Sequence, residues 1–295
     1  MPTTVITGAT GLIGTHLLPL FGQADTVYCA QRSAPQTGDG TAKVIHAPLD
    51  LSEPWDLSAL PQQADTVVHL AQSAHYREFP DRAGEVFQVN TASTAALLDY
   101  ARRAGAGRFV LASSGGVYGA GGKPFTEQDQ MRPAQELGFY LGTKYCSEVL
   151  AESYAGLFDV VVVRFFFVYG PGQRDSALIP RLVQSIAQGR PVTLHGHDGL
   201  RLNPIHAEDA AQALRACLDL PGGAKINIGG PEVLSLRSIA ELIGQRLGRA
   251  PVFETLPHNA AADIVGDIGV MTCLLGPPRL AFAQGLDRYL ASIKF

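Results

Sequence analysis

Five short runs in the first two thirds of the chain are apolar almost without interruption: Thr4–Thr7, Thr26–Gln31, Thr66–Ala71, Arg108–Ser113 and Val160–Phe165. Each is rich in β-branched or aromatic residues. A strand with one wet face alternates apolar and polar positions, whereas a strand covered on both faces does not. The pattern therefore predicts a parallel sheet with helices on both sides. Between the runs, the stretches Leu12–Phe21, Glu85–Ala104 and Phe139–Ala155 read as helices. Gly119–Glu136, rich in Gly, Pro and polar residues, reads as a loop and a candidate flap over a site.

After Gly170 the pattern changes. Helices are expected over Ile179–Gln188, Ala207–Leu220 and Ser235–Leu247, the last stopped by Gly248, with short strands at Val192–His195 and Lys225–Ile228. The expected architecture is α/β: a Rossmann-type doubly wound parallel sheet over residues 1–170 and a smaller C-terminal α/β lobe over 171–295. Some elements of that lobe are expected to return to the main sheet.

Composition narrows the class. At roughly 150 residues per domain, 295 residues allow two domains or one large unit with an appendage. With 46% hydrophobic and 17% charged residues the chain is not disordered. No apolar stretch approaches the ~18 residues of a membrane span, since Arg164 splits Val160–Val163 from Phe165–Val168. Structured sequence begins by Thr4, so no secretory leader is expected and the chain reads as cytoplasmic. A net charge of −4 without any Lys/Arg run argues against nucleic acid as a partner. Cys29, Cys146, Cys217 and Cys273 are widely spaced without a CxxC, and read as buried thiols in a reducing compartment.

Candidate chemistry begins at Thr7–Gly14, TGATGLIG, between a strand and a helix. Gly8 permits the tight turn, Gly11 a close backbone approach to a pyrophosphate, and Gly14 close packing of helix on strand. The N–H groups of Leu12, Ile13 and Gly14 then face the phosphates. At the end of the second strand, Cys29-Ala30-Gln31-Arg32-Ser33 has no acid to bind the ribose 2′-OH of NAD. Arg32 and Ser33 suit a 2′-phosphate, so NADP is favoured over NAD. Further on, Ser114 closes a strand, and Tyr140 and Lys144 are four residues apart on one helix face. An ammonium beside a phenol is expected to lower the phenol pKa and suit it to acid–base work.

Together the glycine turn, VVHLAQSA (Val67–Ala74), Asn90, SSGGVYG (Ser113–Gly119), YLGTK (Tyr140–Lys144) and RFFFVYGPGQ (Arg164–Gln173) resemble the extended short-chain dehydrogenase/reductase family. More narrowly they resemble its NAD(P)-dependent epimerase/dehydratase group, typified by UDP-galactose 4-epimerase. The likeness continues through IHAED (Ile205–Asp209), NIGG (Asn227–Gly230) and Leu274–Pro278. The resemblance implies an enzyme that moves a hydride between a dinucleotide and a sugar hydroxyl or keto carbon. Tyr140 would exchange the hydroxyl proton, Ser114 orient that oxygen, and Lys144 bridge the nicotinamide ribose. Asp50 and Leu51 would lie near the adenine, and Leu70, Ala71 and Gln72 would flank the cofactor. Asn90 would serve as a structural hydrogen-bonder beside it, and Phe166 would pack near the nicotinamide. Residues 171–295 would bind the substrate, and a homodimer would form through the Glu85–Ala104 and Phe139–Ala155 helices.

The sequence also departs from that family. Gly115 and Gly116 replace the Asp-Glu pair of the 4,6-dehydratases, which argues against water elimination. Phe167 stands where sugar-nucleotide members have Asn, and Leu202 where they have an Arg, with Arg201 one place earlier. No Lys or Arg lies between Arg249 and Arg279, where a diphosphate clamp is usual. Arg174, Arg181 and Arg201 are the candidate substitutes, and His75 a further pocket residue. The expected function is a 4-epimerase or 4-ketoreductase of a nucleotide sugar. A dehydrogenase or reductase of a free sugar or small hydroxy/keto compound is the alternative. A non-catalytic dinucleotide-binding regulator is the alternative of another class, opposed by the intact Ser114, Tyr140 and Lys144. His195-Gly196-His197-Asp198 reads as a turn, His206 as structural, and no metal is expected.

Overall fold

A computed structural model describes residues 1–35, 42–257 and 263–293. Its first six strands are β1 (Thr3–Thr7), β2 (Thr26–Gln31), β3 (Lys43–Pro48), β4 (Thr66–His69), β5 (Arg108–Ser114) and β6 (Asp159–Phe165). They are followed by β7 (Val168–Tyr169), β8 (Val192–His195), β9 (Arg201–Leu202), β10 (Ile205–His206), β11 (Ala224–Ile228), β12 (Leu234–Ser235) and β13 (Phe253–Leu256). The helices are α1 (Leu12–Leu17), α2 (Ala83–Phe87), α3 (Ser93–Arg103), α4 (Ala134–Glu152), α5 (Leu178–Ala187), α6 (Ala207–Cys217), α7 (Leu236–Leu247), α8 (Gly269–Leu275) and α9 (Phe282–Ser292).

Seven strands form one parallel sheet in the order β3-β2-β1-β4-β5-β6-β11. The apolar runs are continuous because neighbouring residues bury on opposite faces. Val5, Val67, Phe109 and Val160 join the core under α3 and α4, while Ile6, Val68, Val110 and Val161 join the core under α1, α6 and α8. Fully burying each such side chain contributes about 1.5–3 kcal/mol. The strand β11, well past residue 170, completes the sheet beside β6. A separate core of Leu182, Val183, Leu194, Ile239, Ile243 and Leu286 unites α5, α7, α9 and β8. There β8 pairs with β13, and short pairs β7–β10 and β9–β12 connect this lobe to the sheet.

Several elements differ from the sequence reading. The helix expected over Glu85–Ala104 is α2, a π-helical turn at Gln88–Ala92, and α3. The helix α4 begins before Phe139 but is interrupted at Gly138, whose φ of 70° only glycine adopts readily. The Gly119–Glu136 loop is held down by bridges from Gly121 to Asp263 and from Phe125 to Gly266. Of the four cysteines, only Cys29 and Cys217 are buried; Cys146 and Cys273 are exposed, on the outer faces of their helices.

Candidate active site

The sheet changes direction of growth at β1, and the C-terminal ends of β1 and β4 open a crevice there, the usual ligand position in such sheets. Gly8 has a φ of 75°, and a Cβ on it would lie 2.8 Å from the Ala71 amide nitrogen. A Cβ on Gly14 would lie 2.5 Å from the Gly8 carbonyl oxygen. Both positions thus need glycine, one for backbone conformation and both for close approach. Gly11 precedes α1 and no side chain caps that helix. The N–H groups of its first turn therefore have no intrahelical acceptor, a fit to the pyrophosphate of a dinucleotide.

At the end of β2 the Gln31 carboxamide is already engaged. It accepts from the Thr10 N–H at 3.1 Å and donates to the Ser33 carbonyl at 2.9 Å, fastening the glycine turn to the strand end. Arg32 and Ser33 are exposed beside it. Partial burial raises the Asp50 pKa, but hydrogen bonds from Ser52 and the charge of Arg32 outweigh it and hold the carboxyl below its ordinary value. Leu51 is buried next to Asp50. Leu70 and Ala71, half-buried, follow β4 against Gly8.

Ser114 at the end of β5 and Tyr140 on α4 meet across this crevice. The Ser114 hydroxyl accepts from the Gly116 N–H at 3.1 Å and lies near enough to the Tyr140 phenol to favour its ionised form. The Tyr140 hydroxyl donates to the Gln72 carboxamide oxygen at 2.8 Å, and its ring lies 4.8 Å from that of Tyr76. Lys144 is buried one turn below, with Nζ donating to the Ala112 carbonyl at 3.0 Å. Burial and Tyr76 push the Tyr140 phenol above its ordinary pKa, against Ser114 and Arg77. Burial also pulls Lys144 down to about 8, with Glu148 opposing. The expected lowering of the phenol by Lys144 is not realised in this structure, because the ammonium points to a backbone carbonyl and desolvation dominates.

Beneath Lys144 lies a polar network that the motif reading missed. Glu148, one turn along α4, is buried and takes Arg164 Nη2 at 2.6 Å and Nε at 3.1 Å, as well as the Ser113 hydroxyl. Arg164 also donates to the Tyr118 hydroxyl at 2.5 Å, which donates to Asn227 at 2.9 Å. A lone Arg in the apolar run VVVVRFF was the available signal, since a fully buried charge must be paired. Asn90 is engaged at both ends of its amide: Oδ1 accepts from the Ser73 N–H, and Nδ2 donates to Thr143, both at 3.0 Å.

Other expected residues fall into place or apart. Phe166 is enclosed, its ring filling the space a side chain on Gly115 or Gly266 would need. Phe167 is half-buried with a φ of 46°, a left-handed backbone unusual for a bulky residue. His75 Nδ1 lies 2.8 Å from Glu78, and Arg174 donates to the Ala74 carbonyl at 3.3 Å across the mouth of the crevice. Arg201 is committed to Asp263 at 2.7 Å, and Arg181 is exposed on α5. His206 caps α6 through the Glu208 N–H.

A family model described as NAD dependent epimerase/dehydratase family matches residues 4–229. The chain belongs to that family. It is therefore an enzyme fold built for a dinucleotide cofactor, and no described helix is long and apolar enough to cross a membrane. Over 97% of its length and 95% of the relative it is 24% identical to a probable UDP-glucuronate 4-epimerase of Rhizobium meliloti (strain 1021). It is 31% identical to a dTDP-glucose 4,6-dehydratase of Streptomyces griseus, covering 83% of this chain and 78% of that one. Among solved structures, MoeE5 in complex with UDP-glucose and NAD superposes with a TM-score of 0.83 at 27% identity, covering 98% of both chains. The family members it resembles thus include both 4-epimerases and 4,6-dehydratases.

Proposed function

We propose that this enzyme is a 4-epimerase or 4-ketoreductase of a nucleotide sugar and not a 4,6-dehydratase. The observation that carries the reading is the convergence of Ser114 and Tyr140 at the crevice beside the glycine turn, with Lys144 below. A bound dinucleotide supplies the hydride acceptor or donor. Around it, Ser114 orients the sugar oxygen, Tyr140 exchanges its proton, and Lys144 places positive charge under the site. The smaller lobe around α5, α7, α9 and β8 serves as the substrate-binding region. UDP sugars are bound by MoeE5 and named for the R. meliloti relative, which supports this substrate class.

Likeness to a dehydratase does not extend to the residues that elimination needs. A Cβ on Gly115 would sit 2.4 Å from the Phe166 ring, and one on Gly116 would sit 2.9 Å from Leu141. In this structure side chains fill both spaces, and neither position carries an acid or a base. The commitment of Arg201 to Asp263 favours the second reading, a free sugar or small hydroxy/keto compound, because it removes one diphosphate donor. At the cofactor, the occupied Gln31 and exposed Arg32 and Ser33 support NADP over NAD. A second copy is proposed to pair over the Glu85–Ala104 and Phe139–Ala155 helices, where Phe87, Tyr145 and Val149 are exposed.

The test is a panel of UDP-, GDP- and dTDP-sugars and free sugars with NAD, NADP and NADPH, followed by absorbance and product analysis. Interconversion or NADPH-dependent reduction of a nucleotide sugar, with tighter binding of NADP than NAD, is expected. Turnover of free sugars alone contradicts the substrate class, and release of a 4-keto-6-deoxy sugar contradicts the exclusion of elimination.

A further inference from the structure

We propose that Gln72 is a catalytic partner of Tyr140: its carboxamide accepts from the phenol and, turned about its last side-chain bond, donates to the phenolate. The proposal rests on the reading of Tyr140 as the proton-exchanging residue. A residue in that role occupies two charge states in every cycle, and each needs a different neighbour. The phenol wants an acceptor for its O–H; the phenolate wants donors. A carboxylate serves only the first and an ammonium only the second, whereas a carboxamide offers both on one planar group.

Around Tyr140, Gln72 shares this task with Ser114, and its carboxamide oxygen is the acceptor that already holds the phenol. Desolvation and Tyr76 disfavour the phenolate. Lys144, the nearest buried cation on the helix, has its Nζ on the Ala112 carbonyl. Ser114 accepts from the Gly116 N–H and keeps its own hydroxyl hydrogen, so it favours the phenolate, as does the charge of Arg77. Gln72 Oε1 is 2.8 Å from the Tyr140 hydroxyl, and its Nε2 has no hydrogen-bond partner among the described residues. Turning the amide brings that Nε2 to the phenolic oxygen without moving the backbone.

The backbone on either side is pinned, which fixes where the amide can reach. The Ala71 N–H donates to Thr7 Oγ1 at 3.3 Å, and the Ser73 N–H donates to Asn90 at 3.0 Å. Ser73 Oγ donates to Glu85 at 3.0 Å. Gln72 therefore projects from a fixed stem at the end of β4, the arrangement that a preorganised site requires. Proton balance is simple: the substrate hydroxyl proton moves to the phenolate oxygen, and in the reverse direction returns from the phenol. Gln72 keeps all its own protons and exchanges only which edge it presents.

Two variants and one substrate-free signal test this. Gln72→Met, of similar size and without hydrogen-bonding capacity, is expected to lower kcat by at least about tenfold. KM for the sugar should change by less than about threefold. Gln72→Glu, an acceptor only, is expected to move the acidic limb of the kcat–pH profile upward by about one unit or more. In protein labelled with 13Cζ-tyrosine, the signal lost in Tyr140→Phe is expected to shift in Gln72→Met without substrate. Wild-type kcat, an unmoved pH profile and an unshifted Tyr140 signal overturn the proposal. Retained turnover in Tyr140→Phe overturns the underlying reading instead, while an inactive Tyr140→Phe beside a fully active Gln72→Met overturns the role of Gln72 alone.

Discussion

His69 stands at the end of β4 with Nδ1 2.6 Å from Thr7 Oγ1 and Nε2 3.1 Å from Ser93 Oγ. Burial, and then the charge of Lys144, bring its pKa down to about 3. Burial, with His16 and Arg288 adding and Asp209 opposing, brings His206 down to about 4. Both rings are neutral in the folded protein, while the unfolded chain protonates them near the ordinary pKa of about 6.5. Below that pH the unfolded state binds more protons, so stability falls as pH drops from 6.5 towards 4. Between pH 6.5 and 5, above the carboxylate range, each histidine is expected to contribute a loss of about 1 kcal/mol per pH unit. Denaturant midpoints across that interval check this, and a flat dependence contradicts it. At this scale the local signals were legible: the glycine triplet and the Tyr140–Lys144 spacing lie within single elements. The Gln72–Tyr140 bond joins residues 68 apart and the Lys144–Ala112 bond residues 32 apart, and only the packed fold decides such contacts.

Among the elements, the unit β1–turn–α1 depends on how closely backbone approaches backbone. Gly14→Ala puts a methyl 2.5 Å from the Gly8 carbonyl and 2.6 Å from Ala9 Cα, atoms that cannot give way. It is expected to lose about 1–3 kcal/mol and to weaken dinucleotide binding. Gly142→Ala, on α4 with nothing within 4 Å of the new Cβ, is expected to gain about 0.5–1 kcal/mol from helix propensity. Thermal melts of the two variants check both, and equal shifts contradict the packing argument. The strands that continuous apolar runs predicted are the central ones. The edge strand β3, KVIHAP, was missed because its residues are mostly half-buried and polar positions interrupt it. The helix α9 was missed because Gly285 weakens its pattern; that glycine admits the Tyr169 hydroxyl, 2.2 Å from where a Cβ would be.

In the whole molecule, the buried pair of Arg164 and Glu148 ties α4 to β6 beneath the site and links through Tyr118 and Asn227 to β11. Removing one partner of such a pair costs about 3–5 kcal/mol, because the other charge is left buried alone. Glu148→Ala is expected to show a loss of that size in denaturant unfolding, and a loss below about 1 kcal/mol contradicts the network's role. Doubly wound topology was legible because two-sided burial writes itself into every inner strand. The fastening of the Gly119–Glu136 loop to Asp263 and Gly266 was not, since bridges between distant loops carry no periodicity. In the proposed function Tyr140 exchanges a sugar proton in a dinucleotide-dependent reaction. Its most direct test compares wild type with Tyr140→Phe on a turned-over nucleotide sugar, together with calorimetric titration of NADP. Turnover is expected to fall by at least about a hundredfold with the NADP Kd changed by less than about threefold; a fully active Tyr140→Phe contradicts the proton-exchanging role of Tyr140.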